Sequence, residues 1–390
     1  MENTAADCKV SPSLAALIRD EIARTGPLSC ARFMELALYH PELGYYERDR
    51  TVVGQRGDFY TSVSVGELFG QLLGFQFARW FEEQNFSAGP VQIIEAGAHD
   101  GQLAEDILFW LQRKRPELFA RVEYAILDPS SRRQAWQRDR LSQFSPHVKW
   151  FANWGEVQHA GGVHGVIFAN ELLDAFPVHR LSWSAAEQRW IEWGVRCAGQ
   201  QFIWARLDGL HTNIAHLRDP AAALHTLAPE LRASAWASLA PVLPDGFVFE
   251  CSPFAERWWE IAAQSLRRGT LLTFDYGHTS GEPLNPAKPH GTLRAYRAHQ
   301  LVPDFFAEPG EQDLTAHVNF TAVARAGERA GLRTEELVDQ ARFLNCIAHL
   351  TMAEGANFGE WTRERARQFH TLTHPDHLGR SFAALVQTRW

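Results

Sequence analysis

No CxxC pair, no HExxH motif and no apolar run near the ~20 residues needed to span a bilayer occurs in this chain of 390 residues. Membrane insertion is therefore not expected. The five cysteines (Cys8, Cys30, Cys197, Cys251, Cys346) are odd in number and dispersed. That argues against a disulfide framework and a zinc site, and it suits a reducing compartment. Histidine does not fill the gap. Among 17 histidines the densest local group is His370, His374 and His377, and Pro375 breaks the helical spacing that would gather them on one face. They read as polar surface residues, and no metal is expected. A basic surplus is also missing: 46 acidic against 38 basic residues leave a net charge of −8. The basic clusters Arg113-Lys114-Arg115 and Arg132-Arg133 are short and read as solvated helix ends, so no nucleic-acid partner is expected. Met1 to Val10 carry Glu2 and Asp7 without an apolar run, unlike a secretory or transit segment. A cytoplasmic location is the resulting expectation.

What is present is a globular pattern, 45% hydrophobic and 22% charged, longer than one ordinary domain. The first part reads as helical. Ser11-Pro12 reads as a cap and first turn, followed by the stripe Leu14, Leu17, Ile18 and Ile22. Ser29 opens a second helix, and a third runs from about Val65 to Gln84. From Val91 short apolar runs alternate with helices: Val91–Ile94, Val122–Leu127, Val148–Phe151 and Val163–Phe168, with Thr270–Phe274, Arg333–Val338 and Phe382–Thr388 further on. Such alternation predicts an α/β fold with a mainly parallel, twisted, Rossmann-like sheet. Arg189 to Leu207 reads as a hairpin around Ala198-Gly199, and Pro220 to Leu243 as helical. The expected organisation is a helical cap over 1–88, a core over 89–180 and 265–390, and an inserted α+β lobe over 181–264 that faces substrate.

In open α/β sheets ligands bind beyond the carboxyl ends of the strands. The first such end reads Glu95-Ala96-Gly97-Ala98-His99-Asp100-Gly101, leading into a helix near Leu103. Glycines there allow close backbone approach, but the three-glycine pyrophosphate pattern is absent, and a phosphate would meet the repelling Glu95. A carboxylate in this place suits a cationic ligand without phosphate, such as S-adenosyl-L-methionine (SAM), with its sulfonium and α-ammonium groups. Asp128 ends the second strand, where an acid can accept hydrogen bonds from ribose hydroxyls, a demand SAM shares with NAD. An NAD-dependent oxidoreductase is disfavoured by Glu95 and the missing glycine alone.

Asn170-Glu171-Leu172-Leu173-Asp174 leaves the fourth strand. Two acids at this spacing converge if the turn is helical. They read equally as a clamp for a cationic substrate group or as an ordinary helix start, where acids favour the dipole. A guanidinium suits the clamp, because it stays charged (pKa above ~12) and carboxylates hold it in fixed bidentate geometry.

Ordered blocks extend this pattern over most of the chain. They include Gly26-Pro27-Leu28-Ser29, Phe33 to Pro41, Gly44-Tyr45-Tyr46, Gly57 to Ser62, Leu68-Phe69-Gly70 and Asn170 to Pro177. Asp275-Tyr276-Gly277, Gly291 to Tyr296 and Asp313 to Phe320 complete the set. On these blocks the chain resembles the MidA family of SAM-dependent methyltransferases, whose mitochondrial members are protein-arginine methyltransferases acting in complex I assembly. The resemblance implies a class I methyltransferase core, SAM as cofactor and a protein substrate presenting an arginine; a homodimer stays open. It implies that Asp58, Phe59, Thr61 and Ser62 close over SAM, that Glu95 and Gly97 bind the methionine end with Gly101 and Leu103 beside them, and that Asp128 holds the ribose. Asn170, Glu171 and Asp174 are the implied catalytic residues, Asn170 also touching the cofactor. The Arg294–Tyr296 and His317–Phe320 blocks are implied near the substrate face. Three positions depart from the family pattern: His99 for the middle glycine, Val63-Ser64 for Pro-Glu, and Asp128 for Glu. The first two keep an alternative open, an assembly or binding protein with weakened catalysis on the same fold.

Overall fold

The computed structural model describes residues 13–48, 61–86, 89–227, 235–279, 289–298 and 300–390. Seven strands form the continuous path of an eight-stranded central sheet: β1 (Val91–Ala96), β2 (Val122–Leu127), β3 (Val148–Phe151), β4 (Val163–Asn170), β5 (Leu266–His278), β6 (Arg333–Asp339) and β7 (Phe382–Arg389), with Val318–Asn319 paired in parallel to the end of β5 as the eighth. Across the sheet they run β6-β7-β5-β4-β1-β2-β3. The pairs β3/β2, β2/β1, β1/β4 and β4/β5 are parallel, while β7 is antiparallel to both β5 and β6. This is the mainly parallel α/β core expected. Its inner strands are near-continuous apolar runs because helices cover both faces. Leu72 and Phe77 of helix Leu68–Glu83, Ile107 of Gln102–Lys114 and Leu344 of Gln340–Ala353 share one buried cluster with Phe168 and Phe274. On the other face Trp259 and Ala262 of Pro253–Ser265 join Phe320 and Val323 of Phe320–Arg329 over Ile167 and Leu271.

A second sheet of five strands joins Leu28–Ser29 to His179–Ser184, Arg189–Ala198, Gln201–Arg206 and Val248–Cys251. The N-terminal strand pairs antiparallel with the hairpin, Leu28 opposite Val195. Phe33, Met34 and Leu38 of helix Cys30–Tyr39 are buried in one cluster with Val178, Val195, Phe202 and Leu314. Residues 13–48 and the lobe thus pack as one body, while helix Leu68–Glu83 belongs to the main sheet.

Some local expectations change. Ser11 and Pro12 lie outside the described residues, and Ser13 caps the first helix by accepting from the Ala16 N–H at 3.3 Å. The helix expected over 220–243 is, among described residues, two short ones, Pro220–Leu227 and Trp236–Leu239. No described helix is long and apolar enough to cross a membrane.

Candidate active site

β1 and β4 are neighbours whose chain connections leave in opposite directions across the sheet, and a crevice opens at that reversal. It holds a cavity of about 460 Å³, lined from β1 by Glu95, Gly97, His99 and Leu103, from β4 by Asn170, Glu171 and Asp174, and from the loop before helix 68–83 by Thr61 and Ser64.

The turn after β1 is built for close approach. Gly97 has φ +73°, and a Cβ there would stand 2.9 Å from Leu172 Cδ1. His99 adopts φ +45°, the left-handed conformation that glycine takes more easily. Its ring borders the cavity, and Gln137 donates to its carbonyl oxygen at 2.9 Å. Gly101 does not line the cavity; at φ +87° it caps helix Gln102–Lys114. Glu95 is 3% exposed and accepts a 2.5 Å hydrogen bond from Tyr124 Oη. Burial pushes its carboxyl up to about 8, with the tyrosine only partly offsetting that.

After β4 the chain makes an irregular turn and no helix. The helix-start reading of Glu171 and Asp174 is thereby corrected, although both acids do face one cavity. Glu171 takes φ +52°. Its Oε1 accepts from the Ser62 N–H and from Asn170 Nδ2, each at 3.0 Å. Asp275, at the end of β5, fixes the turn from beneath. One of its oxygens accepts from the Leu172, Leu173 and Asp174 N–H groups at 3.1, 2.7 and 3.3 Å, and the other from the Tyr276 N–H at 2.8 Å. Burial raises Glu171 to about 8 and Asp174 to about 7. Asp275 is also held well above the usual carboxylate range by burial and by Asp174, with which it shares a hydrogen bond. Glu171 and Asp174 thus face the cavity with backbone and amide donors and no cation on them, whereas Asp100, also on its wall, is paired with Arg140 at 2.6 Å.

Asp58 and Phe59 lie outside the described residues. Ser62 is fully buried and spends its hydroxyl on Gln340 Oε1 at 3.1 Å, so it buttresses Glu171 from behind the wall. Ser64 closes its loop through reciprocal bonds: Thr61 N–H to Ser64 Oγ at 2.9 Å and Ser64 N–H to Thr61 Oγ1 at 3.1 Å. Asp128 is 1% exposed and does not border the cavity. Arg133 covers it, which corrects the reading of Arg132-Arg133 as a solvated helix end: the Arg133 side chain is only 12% exposed. The sequence reading assigned no site role to Arg133, Tyr39, Tyr46, Tyr276 or Asp313, all of which line the cavity. Tyr46 donates to Asp313 Oδ1 at 2.9 Å, and Tyr39 donates to the Ala175 carbonyl at 3.0 Å. Tyr39, Tyr46, Tyr276 and Asp313 each sit in one of the ordered blocks, which was the available signal. Arg133 had none.

The rings of His370, His374 and His377 do approach one another, with centroids 4.6–6.1 Å apart, because the turn after Pro375 folds back. Even so, no described group of three or more potential ligands is arranged to hold a metal ion.

Comparison with known proteins adds to this geometry. Residues 72–338 match the model of a family described as "Putative S-adenosyl-L-methionine-dependent methyltransferase". The chain is 28% identical over 365 residues to the mitochondrial protein arginine methyltransferase NDUFAF7 homolog of Drosophila melanogaster, covering 86% of this chain and 77% of that protein. It is 26% identical over 351 residues to the mitochondrial protein arginine methyltransferase NDUFAF7 of Homo sapiens, covering 84% and 71%. A crystal structure from Burkholderia thailandensis, bound to S-adenosyl-homocysteine, superposes with a TM-score of 0.79 at 29% identity over 96% of this chain and 92% of that one. A native crystal structure from the same organism gives 0.75 at 28% identity, covering 96% and 91%. The expectation of a cytoplasmic location does not stand, because these arginine methyltransferase relatives are named as mitochondrial proteins. That expectation rested on a missing signal, and a missing signal carries no compartment.

Proposed function

We propose residue roles for this chain from the premise that it belongs to the family of SAM-dependent methyltransferases, with an arginine side chain of a protein as the group methylated. The observation that carries the reading is the convergence of Glu95, Asn170, Glu171 and Asp174 on one cavity at the point where the strand order reverses.

The donor set suits SAM. Gly97 lines the cavity without a side chain to occupy it, Glu95 is a buried carboxyl without a cation, and Asn170 Oδ1 is buried without a partner. Glu95 and Gly97 would hold the methionine end, Asn170 the region of the sulfur, and Asp128 the ribose. When bound, SAM supplies a methyl group on a positively charged sulfur.

The remaining work falls to the acids. A guanidinium entering past Tyr39 and Tyr46 meets Glu171 and Asp174. Both are raised to near or above neutrality while they face no cation. The incoming charge favours their ionised forms, so binding releases protons. Glu171, steadied by Ser62 and Asn170, accepts guanidinium N–H bonds and sets the attacking nitrogen in line. Positioning of this kind supplies about 7–11 kcal/mol of a barrier in well-oriented systems. Asp174, hydrogen-bonded to Asp275, accepts the proton that the methylated nitrogen sheds.

Arginine as the substrate rests on the acidic, aromatic lining and on the names of the relatives. The test is methyl transfer from labelled SAM to proteins of the native cell, read by mass spectrometry. Methyl-arginine that disappears with Glu171→Gln supports the reading; label on lysine or on a small molecule sinks it.

A further inference from the structure

The second carboxylate of the cofactor side is not free to do what its place in the fold suggests. Asp128 has four donors on its two oxygens. Arg133 Nε lies 3.0 Å from each, Arg133 Nη2 2.8 Å from Oδ1, Gln137 Nε2 2.9 Å from Oδ2, and the Ser130 N–H 3.0 Å from Oδ1. An ionised carboxylate offers about four lone-pair sites, so none remains for a ribose diol. Arg133 itself lines the cavity, standing between Asp128 and the space a nucleoside would use.

The same guanidinium reaches the other way. Its Nη1 donates to the Tyr46 carbonyl at 2.8 Å and lies 3.4 Å from Glu47 Oε1. Glu47 is anchored to the same helix start, accepting from Ser130 Oγ at 2.8 Å. Arg133 therefore has two carboxylates within reach, one at the end of β2 and one on the N-terminal segment. Moving from the first to the second keeps it paired throughout, which matters for a charge this deeply placed.

We propose that Arg133 is an internal competitor for the ribose site, a determinant of cofactor affinity that must leave Asp128 for Glu47 before the SAM diol can bind. This rests on the reading of Asp128 as the ribose acid. It makes apparent affinity the intrinsic affinity multiplied by the fraction of molecules with Asp128 uncovered. It also ties cofactor binding to the Tyr46–Glu47 segment, because the departing side chain releases the Tyr46 carbonyl. Tyr46 lines the substrate side of the same cavity, so filling the nucleoside site reshapes the wall that a protein substrate meets.

The experiment is calorimetric titration of the full chain with S-adenosylhomocysteine, alongside amide hydrogen exchange of residues 45–48. Arg133→Leu is expected to bind at least tenfold more tightly than wild type, about 1.4 kcal/mol. That gain should vanish for a ligand whose ribose lacks both hydroxyls. Glu47→Gln, which removes the second seat, should weaken binding. Exchange at 45–48 should rise on ligand addition in wild type and be high from the outset in Arg133→Leu. Should that variant fail to fold, Arg133→Lys keeps the charge without the fork and is expected to show an intermediate gain. If Asp128→Asn weakens binding while the Arg133 variants bind no better than wild type, the competitor proposal is overturned and Arg133 merely positions Asp128. If Asp128→Asn leaves binding unchanged, the ribose reading itself fails.

Discussion

Glu95 and Asp128 end neighbouring parallel strands, both are almost wholly buried, and both were expected to bind cofactor. Glu95 faces the cavity with a tyrosine for company, whereas Asp128 is wrapped by Arg133, which itself lines the cavity in its place. Glu171 and Asp174 belong with Glu95. The acids in and beside the cavity thus divide into Glu95, Glu171 and Asp174, which have no cation on them, and Asp128 and Asp100, which are already paired with Arg133 and Arg140. Burial alone costs ionisation, and a partnered charge is stable where an unpartnered one prefers its proton. Position in the fold decides where an acid stands, and its neighbours decide whether a ligand can use it.

The contrast breaks most visibly at Glu171. Glu171→Gln is expected to lower kcat by two to three orders of magnitude, the scale on which a preorganised electrostatic group acts, while S-adenosylhomocysteine binding stays within a few-fold. Comparable turnover in single-turnover assays would remove Glu171 from the unpartnered class. Glu95→Gln comes next. Losing a charge-assisted bond to an ammonium costs about 1.5–3 kcal/mol, so calorimetry should show SAM and S-adenosylhomocysteine weakened together by roughly one to two orders of magnitude.

The pH dependence sharpens the same division. With Glu171 raised to about 8 and Asp174 to about 7, kcat/KM should climb as pH rises through that range. The kcat profile should turn at lower pH, since bound guanidinium favours the ionised acids. A flat kcat/KM between pH 6 and 9 would contradict this.

The smallest effect is on stability. A carboxyl whose folded pKa is raised contributes stability below its unfolded pKa and loses that contribution as pH rises through the folded value. Wild type should therefore lose stability between about pH 4.5 and 8 through Glu171. Relative to wild type, Glu171→Gln should melt about 2 °C or more higher at pH 8, on the scale of 2–4 °C per kcal/mol, with little difference at pH 5. Scanning calorimetry at the two values checks the sign.

Much of this is legible in the sequence. The inner strands of the main sheet carry apolar runs that end in chemistry-bearing residues, and the hairpin turn at Ala198-Gly199 matches the observed strands Arg189–Ala198 and Gln201–Arg206. Glu95, Gly97, Asn170, Glu171 and Asp174 do meet at one cavity. What escaped is long-range. Nothing local says that Leu28 pairs with Val195, that Asp275 holds the turn at 172–174, or that Gln137 joins the His99 carbonyl to Asp128. Arg133 was misread for the same reason: a basic pair in a polar helix resembles a solvated surface, and only the fold puts Asp128 and Glu47 on either side of it. Helices Gln340–Ala353 and Arg363–Thr373 went unassigned, although Phe343, Leu344 and Leu372 help cover one face of the sheet.

The placement of β7 has a kinetic side. Residues 382–389 insert between β5 and β6, pairing Thr270 with Thr388 and Arg333 also with Thr388. Until that stretch has been synthesised and docked, β5 presents an open hydrogen-bonding edge, and β6 has no partner through which to join the sheet. Such an edge is a template for pairing with other chains, and contacts this far apart in sequence form slowly. Shortening the chain before Phe382 should therefore show itself as aggregation during synthesis, before any measurement of cofactor binding becomes meaningful.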